Sequence, residues 1–100
     1  MAREFLQVDP RKLRLPPSRR DGADAVKLQR QIAKHGKKTD GMPPLIVHRG
    51  KDGELMIVDG VTRATRVAKL LPGQELTVEV AAERPNKDFT NFPTVEEKLP

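Results

Sequence analysis

Residues 55–71 constrain the fold more than any other part of the chain. Leu55-Met56-Ile57-Val58 is an uninterrupted apolar run, which is typical of a buried strand. Asp59-Gly60 follows at once, and the apolar spacing from about Val61 to Leu71 is that of an amphipathic helix. The segment predicts a central strand that ends at Asp59, a glycine turn and a helix, with four side chains expected to be buried: Val58, Ala64, Val67 and Ala68.

The predicted turn is a candidate anion site. The first backbone N–H groups of a helix lack partners and lie at the positive end of its dipole, so Gly60, Val61 and Thr62 could hold a phosphate. Arg63 and, one turn later, Arg66 could add fork-shaped donors. The ordinary alternative is that Asp59 only caps the helix, while Gly60 allows a turn conformation that other residues adopt at a steric cost. An Asp-Gly dipeptide does not decide between them.

The composition excludes several classes of site. The chain has 100 residues, which suits one small domain, and it has no cysteine. Disulfides, thiolate zinc sites and a cysteine nucleophile are therefore excluded. The two histidines, His35 and His48, have no ligand-spaced carboxylates around them, so no metal site is expected. Without an apolar run of about 18 residues or a signal-type start, we expect no membrane contact and a cytoplasmic location.

The positive charge lies mainly in one part of the sequence. The net charge is +5, and residues 10–38 contain ten basic side chains against Asp21 and Asp24. The chain has three Phe and no Trp or Tyr, so this basic part favours phosphate contacts over base stacking. A solvated basic surface that keeps the protein in solution is the alternative.

The remaining patterns complete an α+β domain over residues 1–82, with a small mixed sheet and two main helices. Residues 83–100 contain three prolines and little periodicity, so we expect a loosely ordered C-terminal tail. The other predicted elements are a strand at 5–8, a stiff basic loop at 12–22, a helix from about Ala25 to His35 between an Asp24 cap and a Gly36 stop, a hairpin of strands at 45–49 and 54–58, and a strand at 76–80.

The order of these motifs resembles the ParB/sulfiredoxin superfamily over about residues 5–82. The matching series is Val8-Asp-Pro, Arg14-Leu-Pro-Pro-Ser18, a helix, Pro43-Pro-Leu-Ile-Val, a hairpin, Val58-Asp-Gly-Val-Thr-Arg63, a helix and Val78-Glu-Val. Its most specific part is a D-G-x-T-R form of the family's phosphate-binding box. The family includes sulfiredoxins, the CTP-binding domain of ParB partition proteins, free-serine kinases and small ParB-like proteins reported as nucleases or ATPases.

The resemblance implies a nucleotide or nucleic-acid phosphate at the start of the second helix. If the partner is a nucleic acid, we expect DNA rather than RNA. Gly60 matches the glycine of the box and Arg63 its arginine, while the loop at Ser18-Arg19-Arg20 faces the same pocket in the family. A cofactor, if one is needed, would be ATP or CTP with Mg²⁺. Sulfiredoxin chemistry is excluded because Val61 stands where that enzyme has its cysteine.

Three functions remain open from the sequence. The first is a binding module for DNA or a nucleotide, with a regulatory role. The second is a Mg²⁺-dependent nuclease, phosphotransferase or ATPase in which Asp59 is the catalytic carboxylate. The third is an adaptor that docks a protein through Phe89 and Phe92. Binding is favoured because the acids that catalysis needs are scarce. The oligomeric state stays open.

Overall fold

The computed structural model describes residues 3–100, and within them the predicted α+β class is confirmed. The elements are β1 (Glu4–Val8), α1 (Ala25–His35), β2 (Leu45–Gly50), β3 (Leu55–Asp59), α2 (Val61–Leu70) and β4 (Leu76–Arg84), with short 3-10 turns at Pro10–Lys12, Pro17–Arg19 and Glu96–Lys98. The four strands form one sheet in the order β1-β4-β2-β3.

The sheet is mixed because α2 connects two strands that run the same way. β2 and β3 form an antiparallel hairpin, and β4 returns beside β2 in parallel after α2. β1 pairs antiparallel with β4 and forms the edge of the sheet on the far side of β4 from β2. The side chains of Val47, Ile57 and Val78 are fully buried in one cluster with Val67 of α2. The core therefore lies between α2 and one face of the sheet.

β3 is at the edge of the sheet rather than at its centre, which corrects the prediction. Beside its outer edge lies the backbone of Arg14, which forms an isolated bridge with β3. Arg14 N donates to Leu55 O, and Ile57 N donates to Arg14 O (2.9 and 3.0 Å). Val58 lies beyond this bridge and is 50% exposed, so its predicted burial is wrong. The predicted burial of the three α2 positions is confirmed: Ala64, Val67 and Ala68.

The segment after residue 82, expected to be loosely ordered, instead packs against the rest of the domain. β4 continues to Arg84, and the chain then returns so that Leu15 N donates to Pro93 O and Val95 N donates to Leu13 O (2.8 and 2.9 Å). Val95 is 1% exposed and belongs to the core cluster. Single side chains, rather than a periodic apolar face, anchor this segment, and a sequence pattern does not detect them.

The longer of the two main helices within residues 3–100 has 11 residues. A bilayer crossing needs about 20. No helix among the described residues is long and apolar enough to span a membrane.

Gly60 allows the immediate change from β3 to α2, and this generates a stability prediction. Its φ is +112°, and an added Cβ would overlap Leu45 Cδ2. Gly73 has a φ of +88° but nothing within 4 Å of an added Cβ, so it is a matched control. We expect Gly73→Ala to lower the free energy of unfolding by about 1–2 kcal/mol, and Gly60→Ala by a further ~1–3 kcal/mol because of the clash.

Urea unfolding of the two variants measures this difference. Equal losses at the two glycines would mean that the close contact with Leu45 does not constrain the turn.

Candidate anion-binding cleft

A cleft of about 410 Å³ lies where β3 ends and α2 begins. Four parts of the chain form it: the loop before α1, one face of α1, the end of β3 and the first turn of α2. The lining residues are Pro16, Ser18, Arg19, Lys27, Gln31, Val58, Asp59, Gly60, Val61, Thr62 and Arg63.

The N-terminus of α2 opens into this cleft without a side-chain cap. Gly60 is the N-cap residue, and no side chain accepts a hydrogen bond from the first turn. The first helical hydrogen bond is donated by Ala64 N to Gly60 O (2.9 Å). The N–H groups of Val61, Thr62 and Arg63 precede that bond and have no acceptor within the helix. These are the groups that an anion at a helix N-terminus uses.

Asp59 does not cap α2, so the capping interpretation is wrong. It is the last residue of β3, and its side chain is 73% exposed. Its carboxylate accepts a hydrogen bond from Arg63 Nη2 at 3.3 Å. The positive end of the helix is therefore left for another acceptor, while the carboxylate competes with a ligand for Arg63.

Arg63 is held at the wall of the cleft by two acceptors. Nη1 donates to Pro43 O at 2.9 Å, and Nη2 donates to Asp59. Only 18% of the side chain is exposed. Because a guanidinium has five N–H donors, this orientation leaves donors for a ligand. Arg63 therefore both joins α2 to the loop before β2 and contributes positive charge to the cleft.

Two more cations complete the charge of the cleft. Arg19 comes from the 3-10 turn before α1, and Lys27 comes from the first turn of α1. Together with Arg63, they make three cations in the lining of the cleft, against a single carboxylate, that of Asp59. Asp24 lies next to this region, where the backbone N–H of Lys27 holds the pKa of its carboxyl below the ordinary range. The cleft thus has an excess of positive charge, which attracts anions.

The structure brings most of the predicted site residues together, but two of them lie elsewhere. Arg20 lines a separate depression with Asp21 and the C-terminal segment. Arg66 is buried beside the cleft, in a neighbouring depression that it shares with Gln31 and Arg63. The residues that do share the cleft are Ser18, Arg19, Asp59, Gly60, Val61, Thr62 and Arg63.

Sequence reasoning missed the contribution of α1 to the cleft. Lys27 and Gln31 are four residues apart, on the same side of the helix. That spacing was available in the sequence. Which face of α1 turns toward α2 was not, because it depends on the packing of the two helices.

Arg66 has a structural role. It is 2% exposed, and its Nη1 donates to Gly36 O and Lys38 O at 2.7 and 2.9 Å. Burial lowers the pKa of its guanidinium, although an arginine stays protonated in a protein. The charge lies against the carbonyl groups at the C-terminal end of α1, where the helix dipole favours a cation. Arg66 therefore fixes the end of α1 to α2.

The structure offers no ready metal centre in the part of the chain that it describes. Among residues 3–100 no group of three or more histidine, aspartate or glutamate side chains is placed to hold a metal ion. A Mg²⁺ ion at the cleft would depend on Asp59 and on the phosphates of the ligand itself.

Comparisons of this chain with family models, with curated proteins and with solved structures find no match in any of the three.

The position of Arg66 leads to a second stability prediction. Replacing Arg66 by Met keeps an apolar chain of similar length but leaves the carbonyls of Gly36 and Lys38 without a donor. We expect the free energy of unfolding to fall by about 2–4 kcal/mol. The control is Lys69→Met on the exposed surface of α2, which should change it by less than about 0.5 kcal/mol.

Thermal and urea unfolding of the two variants check this. Unchanged stability of Arg66→Met, together with weaker binding of pyrophosphate, would show instead that Arg66 serves the ligand.

Proposed function

We propose that this chain is a phosphate-binding module of the ParB/sulfiredoxin-like kind. It holds a phosphate of a nucleotide or nucleic acid at the start of α2, in a cytoplasmic setting. The observation that carries the proposal is the uncapped N-terminus of α2, which opens into a cleft that also presents Arg19, Lys27 and Arg63. Backbone donors and cations that converge on one place form the usual environment of a bound phosphate.

Each part of the cleft has a distinct task in this proposal. The N–H groups of Val61, Thr62 and Arg63 donate to the phosphate oxygens along the axis of the helix. Arg19 and Lys27 neutralise its charge from the opposite wall. Since the Asp59–Arg63 pair is largely open to solvent on the aspartate side, it is weak enough for a doubly charged phosphate to compete for the guanidinium.

Binding without turnover is the better supported function. Phosphoryl transfer and phosphodiester cleavage need a positioned nucleophile, usually with one or two metal ions. Asp59 is the one carboxylate in the lining of the cleft, and it already pairs with Arg63. A nuclease or phosphotransferase that uses Asp59 as its base is the alternative.

The adaptor hypothesis loses support from the position of the C-terminal phenylalanines. Phe89 is buried, and its ring packs edge-on against Phe92 with the centroids 6.1 Å apart. The buried ring of Phe89 is therefore not free to dock a partner, whereas Phe92 is partly exposed.

Calorimetric titration with inorganic pyrophosphate, and separately with ATP without metal, tests the proposal. We expect Arg63→Ala to weaken binding by about 1.5–3 kcal/mol and Arg63→Lys to recover part of the loss, because a point charge cannot reproduce the fork. Arg19→Ala should also weaken binding. The control is Arg11→Ala, whose side chain pairs with Asp9 at 2.9 Å outside the cleft and should matter little.

The same titrations distinguish a binding module from an enzyme. In a binding module, Asp59→Asn removes a competing charge and should strengthen binding slightly, with no turnover in either protein. Mg²⁺-dependent hydrolysis of ATP or cleavage of DNA that disappears in Asp59→Asn would establish the enzyme instead. Equal losses for Arg11→Ala and Arg63→Ala would indicate diffuse attraction and no site.

A further inference from the structure

α1 presents a concentrated positive charge that no acidic residue of the helix offsets. Its sequence contains no aspartate or glutamate. Three of its cations are exposed on the surface: Lys27, Arg30 and Lys34. No carboxylate among the described residues lies within salt-bridge distance of these three. What sets α1 apart is the density of its cations, since lysines elsewhere in the described chain form no salt bridge either.

The unpaired cations of α1 continue the anion-binding cleft. A second depression, of about 260 Å³, lies beside the cleft and is lined by Lys27, Arg30, Gln31, Lys34 and Thr62. Lys27, Gln31 and Thr62 also line the cleft, so the two form one basic groove between α1 and the start of α2. Lys27 and Lys34 are about 10 Å apart along the helix axis. One phosphate cannot reach both ends of this groove.

We propose that the ligand of the groove is duplex DNA, held by its phosphate backbone. This inference rests on the proposed function, since one backbone phosphate occupies the cleft while its neighbours lie along α1. Neighbouring phosphates of one strand lie further apart than their axial rise of about 3.4 Å, because the strand winds around the duplex, so the basic face of α1, about 10 Å long, spans about two of them. A mononucleotide would leave Arg30 and Lys34 without a partner.

The lining of the groove favours a duplex over a single strand. Single-stranded nucleic acid is usually held by bases that stack on aromatic rings. No aromatic side chain lines either depression. Contacts made to phosphates alone predict binding that depends strongly on salt and little on sequence.

Fluorescence anisotropy with a labelled 20-base-pair duplex tests the inference. The test variant is Arg30→Gln/Lys34→Gln, which leaves the cleft residues unchanged and keeps good helix formers. Its control is Lys51→Gln/Lys69→Gln, which removes the same charge from two exposed lysines, one in the β2–β3 turn and one at the end of α2. Thermal unfolding of both variants checks that the fold is retained.

We expect the test variant to bind the duplex about 10- to 100-fold more weakly at 0.1 M salt. The slope of log affinity against log salt should fall by about two, since two phosphate contacts are lost. The control should change the affinity by less than about threefold. Both variants should bind pyrophosphate as the wild type does, and a single strand of equal length should bind more weakly than the duplex.

Three results would overturn the inference. They are equal duplex affinity in the test and control variants, tighter binding of the single strand than of the duplex, and binding of poly-glutamate of matched charge as tightly as the duplex. Retained pyrophosphate binding would leave the proposed function standing in all three cases. If the wild type bound neither pyrophosphate nor the duplex, both proposals would fall.

Discussion

The architecture of the cleft depends on one tight turn at Gly60. Its left-handed backbone changes the chain from strand to helix within one residue, and the Leu45 side chain leaves no room for a Cβ there. Because the turn is so short, α2 begins directly at the end of β3 and packs on the sheet through small side chains such as Ala64 and Ala68. The same turn leaves the first N–H groups of α2 without a cap. Fold and candidate site therefore follow from one constraint.

Arg66 holds α1 beside α2. By donating to carbonyl groups just beyond α1, it fixes the C-terminal end of α1 against α2. Lys27 and Gln31 of the same helix line the cleft. The positive field of the cleft is thus a result of geometry more than of the net charge of +5. Carboxylates pair with several arginines elsewhere in the domain, while α1 presents three exposed cations and contains no acidic residue.

Local signals allowed the sequence to predict the helices well. The bounds of α1 follow from the Asp24 cap, which accepts a hydrogen bond from Lys27 N, and from Gly36, which has a positive φ. The start of α2 follows in the same way from Gly60. The sequence-based predictions failed where the structure depends on residues that are distant in the sequence. An apolar run does not reveal that β3 is an edge strand, and the spacing of Arg63 and Arg66 does not reveal that the second side chain turns toward α1.

The central claim is that the first N–H groups of α2 bind a phosphate. Chemical-shift mapping of ¹⁵N-labelled protein during titration with inorganic pyrophosphate tests it most directly. The account predicts that the largest saturable shifts occur at the amides of Val61, Thr62 and Arg63, because these groups donate to the anion. Shifts that spread evenly over the basic surface without saturation, or that leave these three amides unmoved, would contradict it.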